Sequence, residues 1–236
     1  MDLEELYDEL AQPHAETEAF TPSPHWGAEV SRIEALLGRR ANSTLDVGCR
    51  NGDLLLHWPE GTQRVGVELS TAAANLAQQR GLEIHRCRLE DAPLEEPFDA
   101  VTCYAILEHL AEPMRFLDSL SSIVSEDGVL IVMIPSFETW KARWLEALGM
   151  RWYMYCPPEH LTFYSRAFLD DFLGKRDFSL VQRRYTSGGT ANPFMNVPLA
   201  GRAWARMMRT LDSSAWVTGR PFFDHMYSYY RRGTTR

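Results

Sequence analysis

The sequence predicts an α/β fold organised as a doubly wound, mostly parallel sheet. Three observations lead there. Short apolar runs alternate with helix-length segments from residue 43 to residue 134, which implies right-handed crossovers between parallel strands. The run Thr44-Leu45-Asp46-Val47 enters a turn that holds Gly48 and Gly52. The next strand, Val65-Gly66-Val67, ends at Glu68, 20 residues after Gly48. At that spacing a carboxylate on the second strand tip reaches the two hydroxyls of a ribose.

Residues 1 to 20 carry seven acids and no Lys or Arg. Leu3, Leu6, Tyr7 and Leu10 fall at helical spacing, which predicts an amphipathic helix. Thr21-Pro22-Ser23-Pro24 breaks it, and a helix from Gly27 to Leu37 should pack on the sheet. Strands are expected at 43–47, 64–68, 82–87, 98–103 and 128–134, with helices at 51–57, 71–80 and 112–124. Ser70 suits an N-cap and Gly81 a helix stop. A helix over Phe137–Gly149 sets Trp140, Trp144 and Leu148 on one face. An aromatic, proline-broken segment follows, from Arg151 to Ser165. Ser165 caps a helix to Leu173, and Phe178–Tyr185 reads as a strand. A Gly-, Asn- and Pro-rich loop over 186–198 precedes a helix at Leu199–Leu211 that bears Arg202, Arg206 and Arg209. The last 37 residues hold seven Arg and two Asp. These basic faces are expected to be solvated or to pair with the acidic N-terminal segment; the sharper alternative is an anionic acceptor.

The strand tips define a nucleoside site. The dinucleotide fingerprint G-x-G-x-x-G is absent. Asp46-Val47-Gly48 followed by Gly52 instead resembles motif I of the class I S-adenosylmethionine-dependent methyltransferases. Glu68 is similar to their ribose-binding acid. Pro97–Leu110 and Ser125–Pro135 resemble their fourth and fifth strands with the turns that follow. The resemblance runs from Ala41 to Val181 and is nearest to the ubiquinone-biosynthesis-like small-molecule group. It implies a Rossmann-like, seven-stranded sheet whose last, antiparallel strand is Met226–Arg232. It also implies a helical N-terminal lid over residues 1–40 and a methyltransferase domain over 41–236. Within that domain it implies an acceptor-pocket insertion at 136–165 and a helical insertion at 186–220. Two positions depart from the family pattern. Arg50 stands where a glycine is usual, and Arg88 where an acid often binds the adenine amino group.

S-adenosyl-L-methionine is the implied cofactor. Asp46, Gly48, Cys49, Arg50, Gly52, Glu68, Leu69, Leu89 and Cys103 are the expected cofactor-binding residues. The implied reaction moves a methyl group to a small-molecule acceptor, most simply a hydroxyl oxygen. His109, just beyond the fourth strand, is the first candidate base, because imidazole titrates near neutrality. His160 is the second. The acceptor is expected to be aromatic, apolar or anionic. Two alternatives stay open: a non-catalytic S-adenosylmethionine-binding protein and an NAD-dependent oxidoreductase.

Composition bounds the rest. The chain has 236 residues, with 45% hydrophobic and 24% charged side chains, which fits one globular α/β domain with additions. A net charge of −8 argues against a general nucleic-acid binder. Cys49, Cys87, Cys103 and Cys156 form no C-x-x-C pair, so zinc is not expected, and no metal site is expected in the chain. Reduced thiols and an acidic N-terminus without a signal-peptide pattern imply the cytoplasm. No apolar run reaches the roughly 20 residues of a membrane span, and a homodimer is one oligomeric option.

Overall fold

The computed structural model describes residues 24–186 and 224–233. One sheet holds β1 (Ser43–Val47), β2 (Gln63–Val67), β3 (Glu83–His85), β4 (Phe98–Tyr104), β5 (Val124–Pro135), β6 (Phe178–Thr186) and β7 (His225–Arg232). The strand order is β3-β2-β1-β4-β5-β7-β6. The first five strands are parallel, and β7 runs antiparallel to both β5 and β6. The expected seven-stranded, mostly parallel, doubly wound sheet is therefore present. Its order reverses between β1 and β4, and ligands of such sheets bind beyond the strand ends at that point.

The described helices are α1 (Pro24–Leu37), α2 (Thr71–Gln79), α3 (Pro113–Ser122), α4 (Trp140–Ala147) and α5 (Arg166–Gly174). Successive strand residues point to opposite faces, and here both faces are dry. Val101, Leu130 and Val132 pack under Leu117 and Leu120 of α3 and Leu169 of α5. Ala100, Val129 and Ile131 pack under Val30 and Ile33 of α1 and Ala77 of α2. That is why the central strands read as continuous apolar runs.

Ser70 caps α2 by accepting from the Ala73 N–H, and Ser165 caps α5 by accepting from Phe168 N–H. The helix after Phe137 is shorter than expected. Thr139 caps it at Trp140 by accepting from the Ala142 N–H, and Gly149 ends it with φ +68°. The helix expected at Gly27 begins at Pro24, where a proline N–H is not needed. β5 starts four residues before the expected 128. The expected lid helix with Tyr7, the arginines Arg202, Arg206 and Arg209, and almost all of the 186–220 insertion lie outside the described residues.

One expectation fails at the organising turn. No α-helix covers 51–57; only Leu55–His57 forms a single 3₁₀ turn. The backbone explains it, since Arg50 and Gly52 both take positive φ, +50° and +80°, and left-handed residues do not propagate a right-handed helix. The side chain of Asn51 accepts from the Asp53 N–H, so it closes a turn instead of capping a helix. Arg80 on the other side donates to the Asn51 carbonyl and to Asp53, each at 2.8 Å.

Gly52 has no room for a side chain. A Cβ there would sit 2.2 Å from Leu82 Cδ1 and 3.3 Å from Ala77 Cβ. Gly52→Ala combines left-handed strain with overpacking, at about 1–2 and 1–3 kcal/mol respectively. A loss of roughly 2–5 kcal/mol in urea unfolding is expected.

Two buried carboxylates tie distant segments together. Glu29 of α1 accepts from the Tyr229 hydroxyl at 2.5 Å and from Arg184 at 3.1 Å, which fastens α1 to β6 and β7. Asp224 accepts from Trp152 Nε1 at 3.1 Å and the Tyr153 hydroxyl at 2.8 Å. The aromatic segment after β5 is thereby anchored at the entrance to β7. Among the described residues, no helix is long and apolar enough to cross a membrane.

Candidate active site

The site is built on three strand ends. At the end of β1 the chain turns through Gly48 with φ +73°. The N–H groups of Gly48 and Cys49 both donate to the Val67 carbonyl, at 2.8 and 3.2 Å. Cys49 folds beneath the turn, because Gly66 leaves it space. A Cβ on Gly66 would meet Cys49 Sγ at 2.5 Å. Burial pushes the Cys49 thiol well above its usual range, which keeps it protonated and inert.

At the end of β2, Glu68 holds the turn from the other side. One carboxylate oxygen accepts from the Arg50 N–H and the other from the Ser70 N–H, both at 2.8 Å. Each oxygen retains a second lone pair, the acceptor pair that a ribose diol requires. The Arg50 side chain is exposed, and its positive φ supplies the bend that a glycine would otherwise make. Leu69 is half-buried beside Glu68.

The third strand end closes the site. Ala105 leaves β4 with φ +53° and donates its N–H to the Met133 carbonyl. This sharp exit lays Ile106 directly over Gly48, where a Cβ would come within 2.3 Å of Ile106 Cδ1. Beyond it a 3₁₀ turn, Leu107–His109, carries Glu108 and His109.

The aromatic segment is clipped onto that turn. The N–H groups of Leu161 and Thr162 both donate to the Glu108 carbonyl, at 2.7 and 3.2 Å. The Tyr164 hydroxyl donates to the Leu107 carbonyl. His109 and His160 thereby meet with ring centroids 4.8 Å apart. His109 Nδ1 lies 2.8 Å from the Glu159 carbonyl, and His160 Nδ1 lies 2.6 Å from the Met154 carbonyl. A carbonyl oxygen only accepts, so both Nδ1 atoms carry the proton and donate. In the neutral ring the lone pair then sits on Nε2. Desolvation holds His109 below the usual imidazole range. Glu108 is buried, its Oε2 has no hydrogen-bond partner, and burial pushes its carboxyl up to about 8.

Several expected site residues turn their side chains away from the strand tips. Leu89 and Cys103 turn their side chains into the core, and Arg88 beside Leu89 is exposed. Asp46 is buried beneath the turn, where it accepts from the Thr102 hydroxyl at 2.6 Å. Desolvation raises its carboxyl to about 7. Because this value lies above that of the unfolded chain, Asp46 contributes stability below about pH 4 that is lost as pH rises through about 7. Asp46→Asn is expected to flatten this dependence, worth roughly 4 kcal/mol between pH 4 and 7, in denaturant unfolding followed across that range.

Next to the histidines, a cleft of about 600 Å³ opens within the segment after β5. Phe137, Met150, Arg151, Trp152, Tyr155 and Phe163 line it, with the Arg151 guanidinium over the Tyr155 ring.

A family model described as a methyltransferase domain matches residues 21–183. The ubiquinone biosynthesis O-methyltransferase of Haemophilus ducreyi is 30% identical over 142 residues, covering 55% of this chain and 58% of that protein. The enzyme of the same name from Chromobacterium violaceum is 29% identical over 155 residues, covering 62% and 65%. The chain thus spans less than two thirds of either relative. Among solved structures, the magnesium protoporphyrin IX methyltransferase of Synechocystis superposes with a TM-score of 0.62 at 14% identity, covering 98% of both chains. An N-methyltransferase of Bradyrhizobium japonicum gives 0.60 at 12%, covering 96% and 98%. Those two likenesses are of fold.

Proposed function

Because this chain belongs to the methyltransferase-domain family, we propose that it moves a methyl group from S-adenosyl-L-methionine to a hydroxyl oxygen of a small acceptor. The observation that carries this reading is Glu68. It is a carboxylate at the tip of β2, tied by one hydrogen bond to the Arg50 backbone and by another to Ser70, one strand away from the β1–β4 point where the sheet order reverses. There it would hold the two ribose hydroxyls, with Gly48 and the Arg50 turn beneath the methionine portion and the backbone around Leu89 along the adenine.

The sulfonium supplies an already activated methyl group. The chain has to align the acceptor oxygen with the S–CH₃ bond and exclude water. Positioning of that kind contributes on the order of 7–11 kcal/mol to such reactions. The acceptor enters beside the β4 exit, against the aromatic segment at 136–165. In this reading His109 and His160, whose rings meet at 4.8 Å, act on its hydroxyl proton. The names of the sequence relatives, ubiquinone biosynthesis O-methyltransferases, support an oxygen acceptor. The apolar cleft supports an aromatic one, and Arg151 at its wall suits a carboxylate on the same ring.

Calorimetry with S-adenosylmethionine and with NAD, followed by a screen of hydroxylated aromatic acids for S-adenosylhomocysteine release, tests this. Binding of the first compound and turnover with at least one phenol are expected. Binding of NAD alone would replace the reading with a dehydrogenase, and tight donor binding without turnover by any acceptor would leave a non-catalytic binder.

A further inference from the structure

We propose that Trp26, backed by Tyr104, is the surface that recognises the positive charge of the methyl donor. This rests on the donor reading above and adds to it the residues that tell donor from product.

Sheet register places the pair. Val47 of β1 lies beside Cys103 of β4, so continuing that register by one residue sets Gly48 across from Tyr104. Thr102 and Tyr104 share a face of β4, and the Thr102 hydroxyl reaches Asp46 on that face. Tyr104 therefore stands one layer above Asp46, at the level of the Gly48 turn. Ile106 flanks Gly48 from the other face, packed with the cluster under α3 and α5. Trp26 and Tyr104 pack with the cluster under α1 and α2. The crevice over Gly48 thus has one aliphatic wall and one aromatic wall.

The aromatic wall is fixed before any ligand arrives. The rings of Trp26 and Tyr104 stack with centroids 5.5 Å apart and planes at 23°. Tyr227 of β7 packs against Tyr104 at 5.6 Å. The Tyr104 hydroxyl turns inward and donates to the buried Glu29 at 3.3 Å. Gly27, the next residue of α1, lies against the segment after β1, where a Cβ on it would be 3.7 Å from His57 Cδ2. Trp26 is thereby held between β4 and that segment, and it stays half-buried. A surface set in this way needs no ordering on binding.

Charge selects the ligand. A carboxylate touching the sulfonium would compete with the acceptor for the methyl group. An aromatic face attracts a cation through its quadrupole, tryptophan most strongly, and offers no nucleophilic oxygen. In the transfer the acceptor oxygen forms the O–CH₃ bond, the sulfur keeps the electron pair of the broken S–CH₃ bond, and the hydroxyl proton leaves. The product is a neutral thioether. The attraction therefore acts on the donor and lapses on the product, which favours exchange of spent for fresh cofactor.

The test is titration calorimetry of the full chain with S-adenosylmethionine and with S-adenosylhomocysteine, read as the ratio of the two affinities. In Trp26→Leu the ratio is expected to shift by about 3- to 30-fold against the charged compound. Trp26→Phe keeps an aromatic face and should hold a ratio near that of the parent. Tyr104→Leu, which removes the ring behind Trp26, should shift the ratio in the same direction as Trp26→Leu. Circular dichroism confirms that the variants fold. If both compounds weaken equally in Trp26→Leu and in Tyr104→Leu, the pair only shapes the site; the charge role is overturned and the donor reading stands. If the parent binds neither compound, the donor reading falls and the charge role falls with it.

Discussion

Replacing Glu68 by alanine is expected to weaken S-adenosylmethionine binding by about 10²–10⁴-fold, from two charge-assisted hydrogen bonds worth about 1.5–3 kcal/mol each. The size follows from what the carboxylate does before the ligand arrives. It already holds the Arg50 and Ser70 N–H groups, so it is fixed at the strand tip and a ribose diol meets an ordered acceptor pair. Alanine removes the acceptors and also leaves two backbone donors without their partner, which loosens the turn that carries Gly48. Glu68→Gln separates the two effects. Its amide oxygen can keep one backbone bond, but its NH₂ group would face the other N–H donor, so its affinity should fall between parent and alanine. Titration calorimetry on variants shown to be folded measures all three. A dissociation constant unchanged in Glu68→Ala would remove this residue from the site and with it the main support for a nucleoside there.

Much of this arrangement was legible in the sequence, for physical reasons that also mark where legibility stopped. Strands buried on both faces are rich in apolar residues, so the run Val129–Ile134 of β5 was plain, and β1 and β4 were legible from Leu45 and Val47 and from Ala100, Val101 and Cys103. Gly48 and Glu68 were plain because a turn and a strand-tip acid sit at a spacing set by one strand–helix–strand unit. The helix expected after Gly48 was not there, because Arg50 bends left-handed where propensity favours a helix. Strand position also says nothing of side-chain direction. Cys103 lies at the right height but points into the core, and Asp46 supports the turn from beneath. The histidine pairing was the hardest to see. Its members are about 50 residues apart and are joined through backbone carbonyls, which no residue type reveals. The one available signal was the repeated Glu-His-Leu, at Glu108–Leu110 and Glu159–Leu161. Glu108 itself was passed over because a buried, unpartnered carboxylate can be recognised only once its surroundings are known.

His109→Ala is expected to lower turnover by about 10²–10⁴-fold, the usual contribution of proton removal in such a step, while S-adenosylmethionine affinity changes by less than about threefold, within ordinary context dependence. The split follows from position. Glu68 and the Arg50 turn lie at the β1 and β2 ends, whereas His109 lies beyond β4 and touches the aromatic segment through Glu159. A purely structural role for that contact would also slow the enzyme, by letting the segment drift and raising the acceptor KM. His109→Asn discriminates. An asparagine amide can reproduce the Nδ1–H bond to the Glu159 carbonyl but has no counterpart of the Nε2 lone pair. If Nε2 acts on the proton, asparagine loses kcat as alanine does while its acceptor KM stays near that of the parent. If asparagine restores kcat, His109 is a latch for the aromatic segment, and the hydroxyl proton must leave by another route.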